Sequence, residues 1–308
     1  MRELFKHFYK NATAGHLLLY PVKKLYDIYR IRLLPEKIYL KKIFKLKFGF
    51  NIDLENPKTI HEKLIWLRLN ERNPLHTLCA DKYAVRNYIK DKIGEKYLIP
   101  LVFQTDNPAD IYPENLPDYP FIIKTNHGCS GEIIVKDKSQ IDWEKVRKNL
   151  KKSLKSNFYY KGKEWQYKNI EPCIVVEKLL LNNNFEIYRE YQLTCCNGQV
   201  KFIEVQIDKY ANKKLNFYDP DWNILDCRVS SVENSEYCEK PVMLDKMKSL
   251  AEVLARDFIF VRVDLYNFGS EIYFGELTFT PVGGFQKYIP SKWNRIFGDK
   301  LIINKSRY

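Results

Sequence analysis

The sequence predicts a mixed α+β fold built on antiparallel hairpins, not a doubly wound parallel sheet. Two observations predict it. Strand-like apolar runs cluster in the middle and the tail of the chain without regular strand–helix–strand alternation. The last two runs are joined by Tyr266-Asn267-Phe268-Gly269-Ser270, a loop whose glycine suits a hairpin. No internal repeat or low-complexity tract interrupts the pattern.

Each element has its own signal. Asn56-Pro57 opens a turn, and Thr59 with Glu62 forms a capping box ahead of Leu64, Ile65, Leu67 and Leu69. A second helix is expected over residues 78–93, carrying Asp81-Lys82 and ending near Gly94. Proline and aspartate punctuation over 100–120 predicts connecting loops. Strand-like runs follow at 121–124, 132–135, 174–180 and 191–207, with a charged helical segment at 143–155. The tail reads as helix (244–256), strand (260–265) and strand (271–277).

Composition and charge narrow the class. The 308 residues are 45% hydrophobic and 29% charged, which excludes disordered and collagen-like chains. No apolar run nears the roughly 18–20 residues of a spanning helix. Leu17-Leu18-Leu19-Tyr20 is soon broken by Lys23, Lys24 and Asp27, so no signal peptide is read and a cytoplasmic protein is expected. The net charge is +13, and residues 1–47 hold twelve Lys and Arg against three Asp and Glu. Such an arm can lie on an anionic membrane face, placing the protein at the inner surface. It can also pack on the body with a solvated basic face. Nucleic acid is not expected, because no zinc-finger, homeodomain or aromatic RNA-binding signature accompanies the charge. Seven cysteines without a CxxC pair, and five scattered histidines, argue against disulfides and zinc.

Three constellations carry chemistry. In residues 121–135, Lys124 closes a strand before Asn126-His127-Gly128-Cys129-Ser130-Gly131, a small-residue loop whose backbone N–H groups can approach an anion. The same pattern can be a plain hairpin. At Glu177-Lys178 an apolar strand ends in a carboxylate and an ammonium, suited to a ribose or adenine edge, or to a simple surface ion pair. Arg262-Val263-Asp264 and, twelve residues after Asp264, Glu276-Leu277-Thr278 place two carboxylates near facing positions of neighbouring strands. Such carboxylates need a cation between them. Either Mg²⁺ fills that place or Arg262 does, as a structural ion triad.

The order of these pieces resembles the ATP-grasp superfamily, in its TupA-like branch of polysaccharide and teichuronopeptide biosynthesis. The stretches that carry the resemblance begin with Ile60-His61-Glu62-Lys63-Leu64-Ile65-Trp66-Leu67, Asp81-Lys82-Tyr83-Ala84-Val85-Arg86 and Asn126-His127-Gly128. Glu164-Trp165-Gln166-Tyr167 and Asn216-Phe217-Tyr218-Asp219 follow. Arg262-Val263-Asp264-Leu265-Tyr266 and Phe274-Gly275-Glu276-Leu277-Thr278 complete the set. They span residues 56–300 or so.

The resemblance implies ATP held between two α+β lobes. It divides the chain into a basic amphipathic helical arm (1–55), a helical region (56–115), a lid lobe (116–185) and a catalytic lobe (186–308). It implies that Lys82 and Lys124 contact ATP phosphates under a flap of Gly128, Ser130 and Gly131. His127 becomes a ligand contact, and Glu177, Lys178 and Leu180 sit at the adenine and ribose. Lys209 lies near the phosphates, Arg262 stabilises the γ-phosphoryl group, and Asp264 and Glu276 bind Mg²⁺. Thr278 stands where the superfamily commonly has Asn, a poorer ligand for a second ion. The implied activity is an ADP-forming carboxylate–amine ligase working through an acylphosphate. Its partners would be a uronic acid of a bacterial surface polysaccharide and an amine. An ATP-grasp kinase or other glycan-modifying transferase, and a nucleotide-binding module without catalysis, remain as alternatives.

Overall fold

The computed structural model describes residues 25, 28–129, 131–182, 187–207, 214–230, 232–235 and 237–305. In chain order its principal elements begin with α1 (Glu36–Phe48), α2 (Ile60–Asn70), α3 (Pro74–Ala80) and α4 (Val85–Lys92). Next come β1 (Leu101–Thr105), β2 (Phe121–Thr125), β3 (Ile133–Val135), α5 (Trp143–Leu154) and β4 (Ile174–Lys178). Then follow β5 (Arg189–Cys196), β6 (Gln199–Ile207), β7 (Lys214–Tyr218), β8 (Arg228–Val229) and α6 (Leu244–Ala255). The chain closes with β9 (Phe260–Phe268), β10 (Glu271–Thr278), β11 (Tyr288–Ile289) and α7 (Lys292–Lys300).

Two antiparallel sheets dominate, so the α+β class read from the sequence holds. One has the order β1-β4-β2-β3 and the other β10-β9-β5-β6-β7. The first buries Phe121, Ile123, Ile174 and Val176 against Val146 and Leu150 of α5. The second alternates between two faces, apart from bulges at Thr194/Cys195 and Phe274/Glu276. Leu193 and Cys195 of β5, Ile203 and Val205 of β6, and Val261, Val263 and Leu265 of β9 pack on Met247, Leu250, Ala251 and Leu254 of α6. Its other face is divided along its length. Phe202, Phe217 and Phe260 lie under α2 and α7, and farther along the same face the residues turn polar.

Local chemistry explains the helix ends. The Thr59–Glu62 capping box forms as expected, and Glu62 Oε2 accepts from the backbone N–H groups of Thr59 (2.9 Å) and Lys58 (3.0 Å). Lys63 of α2 donates to the carbonyls of Gly298 and Leu301 at 2.8 and 2.7 Å, so α2 caps the end of α7. The described part of the basic arm is docked. Tyr39, Leu40 and Phe44 of α1 are buried against Ile65 and Phe285. The part of the arm before residue 25 lies outside the described residues.

Four sequence expectations are corrected. The helix expected over 78–93 is two, α3 and α4, because Asp81 Oδ1 accepts from the N–H groups of Tyr83 (2.8 Å) and Ala84 (3.1 Å) and turns the chain. Asp81 and Lys82 therefore sit in that turn, not on a helix. The single run 191–207 is the β5–β6 hairpin, turned by Asn197 (φ 52°) and Gly198 (φ 81°). The segment 100–120 is not all loop, since β1 pairs with β4 and joins the first sheet. In the tail, β9 runs through Phe268, so the five-residue loop shrinks to Gly269-Ser270.

Candidate active site

The polar half of the second sheet faces the first sheet across a cleft of about 360 Å³. Its floor comes from alternation in strands whose intervening residues are core. Glu190 and Gln192 lie on β5, Gln206 on β6, Arg262, Asp264 and Tyr266 on β9, and Glu276 on β10. Ile122 and Lys124 of β2, Cys129, Glu132 and Lys82 form the opposite wall.

At the centre is a carboxylate–guanidinium cluster. Asp264 and Glu276 are register partners across β9 and β10, with a bulge between Phe274 and Glu276. Arg262 donates through Nε to Asp264 Oδ1 (2.7 Å) and through Nη2 to Asp264 Oδ2 (2.6 Å). Nη2 also reaches Thr278 Oγ1 at 3.2 Å and Glu276 Oε1 at 3.4 Å. Thr278 Oγ1 donates to Glu276 Oε1 at 2.9 Å, and Gln192 Nε2 donates to Asp264 Oδ2 at 3.2 Å. Burial opposes the Arg262 charge, but the adjacent Asp264 carboxylate, aided by Glu204 and Glu276, holds the guanidinium above its usual value. The pair is an ion pair. A cation does stand between the two acids here, and it is Arg262.

The lysines are tied to the same cleft from the other wall. Lys82 Nζ donates to Gly128 O at 2.8 Å and lies 3.5 Å from Glu276 Oε2. Lys124 Nζ lies 2.5 Å from Glu177 Oε2 in an ion pair. Arg86 from α4 takes the other oxygen, Glu177 Oε1, at 3.0 Å and also donates to Ile99 O at 3.0 Å. Glu177 is thus buried between two cations, with Ile122 facing it across the β2–β4 ladder.

Other expected site residues are placed differently. His127 is buried, and its Nε2 faces the carbonyls of Ser156 (3.0 Å) and Ser153 (3.2 Å) at the end of α5. Burial lowers its pKa, against the raising effect of those carbonyls, so it is a neutral ring that ties the loop to α5. Asn126 does similar work, accepting from Cys173 N at 2.7 Å and donating to Glu171 O at 2.9 Å. Gly128 offers its carbonyl to Lys82, Lys178 is exposed at the end of β4, and Leu180 is buried just beyond it. Ser130 and Lys209 lie outside the described residues; Gly131 has a positive φ of 93° in the loop before β3.

Sequence reasoning missed Arg86, Glu190, Gln192, Glu204 and Gln206. The last four carried a readable signal. A polar residue at every second position of an otherwise apolar strand marks a face that is not core. The residues fit Mg²⁺ in chemistry: Asp264, Glu276 and Thr278 offer hard oxygens on one face, as a site that also uses waters and phosphates requires. No group of three His, Cys, Asp or Glu among the described residues forms a self-sufficient metal cage.

A family model described as TupA-like ATPgrasp matches residues 62–302. The chain belongs to that family. Its fold is the ATP-grasp α+β fold. No curated protein matches it. Among solved structures, D-alanine–D-alanine ligase from Bacillus anthracis is similar at 17% identity and a TM-score of 0.42, over 73% of this chain and 66% of that one. The ATP-grasp ligase PsnB complexed with minimal precursor is similar at 11% identity and a TM-score of 0.36, over 67% and 53%. D-alanine–D-alanine ligase from Helicobacter pylori stands at 17% and 0.36, over 68% and 52%. The ATP-grasp chain thus spans two thirds or less of the length of these neighbours, and the family match, not these likenesses, assigns it.

Proposed function

We propose that the protein is an ATP-dependent carboxylate–amine ligase that forms an amide through an acylphosphate. The observation that carries this reading is the convergence of Lys82, Lys124 and Arg262 with the register-paired acids Asp264 and Glu276 on one cleft. Phosphoryl transfer needs positioning and charge neutralisation, and this cleft is built to supply both. A substrate carboxylate oxygen attacks the γ-phosphorus, and the bond to the ADP oxygen breaks. An amine nitrogen then attacks the acyl carbon, phosphate leaves, and the amine releases a proton.

In this reading Lys82 and Lys124 hold phosphate oxygens, and Arg262, kept charged by Asp264, faces the transferring group. Glu177, Lys178 and Leu180 border the base and ribose, with Lys209 and the 128–131 loop near the phosphates. Asp264, Glu276 and Thr278 would hold Mg²⁺, which would neutralise phosphate charge. Residues 116–185, joined by β1, act as the lid lobe and 186–308 as the catalytic lobe. The acceptor is a uronic acid of a surface glycan, and the other partner an amine. The basic arm places the enzyme on an anionic membrane face; Leu33, Ile38, Leu46 and Phe50, exposed among Lys37, Lys41, Lys42, Lys45 and Lys47, support that part.

Product analysis tests the reaction. ADP and phosphate should appear only when a carboxylate and an amine are both supplied. AMP with pyrophosphate rejects the mechanism, and phosphate found on a hydroxyl without amine identifies a kinase instead.

A further inference from the structure

Two helices end beside the β5–β6 turn, at the far end of the second sheet from Glu190. Residues 70–73 at the end of α2, residues 256–259 after α6 and Asn197 line a hollow of about 640 Å³. It shares no residue with the cleft. Asn197 lies five residues beyond Gln192, on the order of 17 Å along the strand direction. Glu71, the residue at which α2 stops, lines this hollow with a side chain only 9% exposed. Among the described residues its carboxylate meets one polar group, His76 Nε2 at 3.8 Å, and that nitrogen makes no hydrogen bond. Behind the pair, the His76 ring packs on Phe279, Phe258 and Trp165 at 4.2, 5.4 and 5.6 Å between ring centres. Burial pushes the Glu71 carboxyl up to about 7 and His76 down to about 4, so the ring is neutral and supplies no counter-charge.

The cations around the hollow are engaged elsewhere or exposed. Arg72 pairs with Glu36 and lies over Trp165, and Arg68 donates to the carbonyls of Gly162 and Gly283. Lys92 pairs at 2.8 Å with Asp257, which also accepts from the Tyr88 hydroxyl. Arg256 lines the hollow but is exposed. The backbone adds negative character. The last turn of a helix presents carbonyls without intrahelical partners and carries the negative end of the helix dipole, and both α2 and α6 end here. One carboxylate is a poor cage for a divalent ion. Together with helix-end carbonyls it suits the three N–H donors of a primary ammonium.

We infer that this hollow is a second ligand site, separate from the cleft, in which Glu71 holds the ammonium group of a small amino compound. The inference stands independently of the ligase reading. If the compound is an amino acid, Arg256 meets its carboxylate; a plain amine leaves Arg256 unused.

The test is titration calorimetry of the full chain with ethanolamine and with L-alanine, at constant ionic strength and in two buffers of different ionisation heat. Both probes keep their ammonium charge from pH 6 to 8. Wild type should bind at least one of them. Binding ionises Glu71, so most of one proton should be released at pH 6 and little at pH 8, and affinity should rise about tenfold between the two. Glu71→Gln should weaken binding by at least about tenfold at pH 8 and abolish the proton release, while its ligand-free melting temperature is unchanged or higher. Arg256→Ala weakens alanine alone if the ligand is an amino acid, and neither probe if it is a plain amine. Should Glu71→Gln fail to fold, proton release by wild type decides. Failure of wild type to bind either probe, binding without proton release at pH 6, or equal affinity in Glu71→Gln overturns the site.

Discussion

Arg262 and Asp264 are two residues apart on β9, so their side chains share a face, and burial forces them into a bidentate pair. Asp264→Asn strips a buried guanidinium of its partner and should cost about 3–5 kcal/mol of stability, which confounds any reading of activity. Glu276 is the cleaner probe, because its side chain is 38% exposed. Glu276→Gln should change stability by less than about 1 kcal/mol. It should raise the Mg²⁺ concentration for half-maximal turnover by at least about tenfold, measured by a Mg²⁺ titration of ADP release. Unchanged Mg²⁺ dependence removes Glu276 from the proposed metal site.

A second pair lies away from the cleft. Burial pushes the Glu71 carboxyl up to about 7 and His76, 3.8 Å away, down to about 4. The contact is therefore not an ion pair at neutral pH. An acid whose folded pKa is raised binds more protons folded than unfolded, so its contribution to stability falls as pH rises from about 4.5 toward 7. Above 7 the native state carries a buried charge that costs on the order of 3 kcal/mol. Glu71→Gln should raise the melting temperature at pH 8, and the gain should vanish near pH 4.5. His76 has the opposite sign, favouring the native state as pH rises from about 4 to 6.5. A pH-independent effect of Glu71→Gln rejects this account.

At the scale of elements, the packing of α7 on the start of α2 decides how the apolar half of the second sheet is covered. Gly298 sits where any Cβ would lie 2.2 Å from Lys58 O and 2.9 Å from Ile60 N. Both atoms are backbone, so neither can swing aside. Gly298→Ala should therefore displace α7 and destabilise the protein by about 1–3 kcal/mol in urea unfolding. It should also loosen the Lys63 bonds to Gly298 and Leu301. A variant as stable as wild type would falsify the close approach. The α3–α4 break works on the same scale: Asp81 turns the chain so that Lys82 can face Gly128 and Glu276.

Over the whole chain, the positive charge concentrates in the N-terminal segment. The net charge of +13 is held largely by residues 1–47, and no helix among the described residues is long and apolar enough to cross a membrane. Each Lys or Arg near an anionic leaflet gains about 1 kcal/mol. The full chain should co-sediment with phosphatidylserine vesicles at low salt and be released as ionic strength rises. A chain starting at residue 25 should bind more weakly while keeping turnover on soluble acceptors. If the intact protein ignores such vesicles, the arm is a packed extension and nothing more.

The sequence by itself determined the α+β class, the Thr59 capping box, the β9–β10 hairpin and the facing of Asp264 and Glu276. These rest on local rules, namely caps, period-two alternation and turn residues, which act within a few positions of one another. The Asn197-Gly198 turn was equally local and legible, yet the strand-like pattern on both sides of it let 191–207 be read as one run. Only the tertiary structure decided that Arg262 stands between the two acids, that Arg86 reaches Glu177 from α4, and that His127 turns to α5 instead of the cleft. It likewise gave β1, five residues between prolines, its place beside β4. Those outcomes depend on which groups burial brings within hydrogen-bonding distance across tens of residues, and no local pattern encodes that choice.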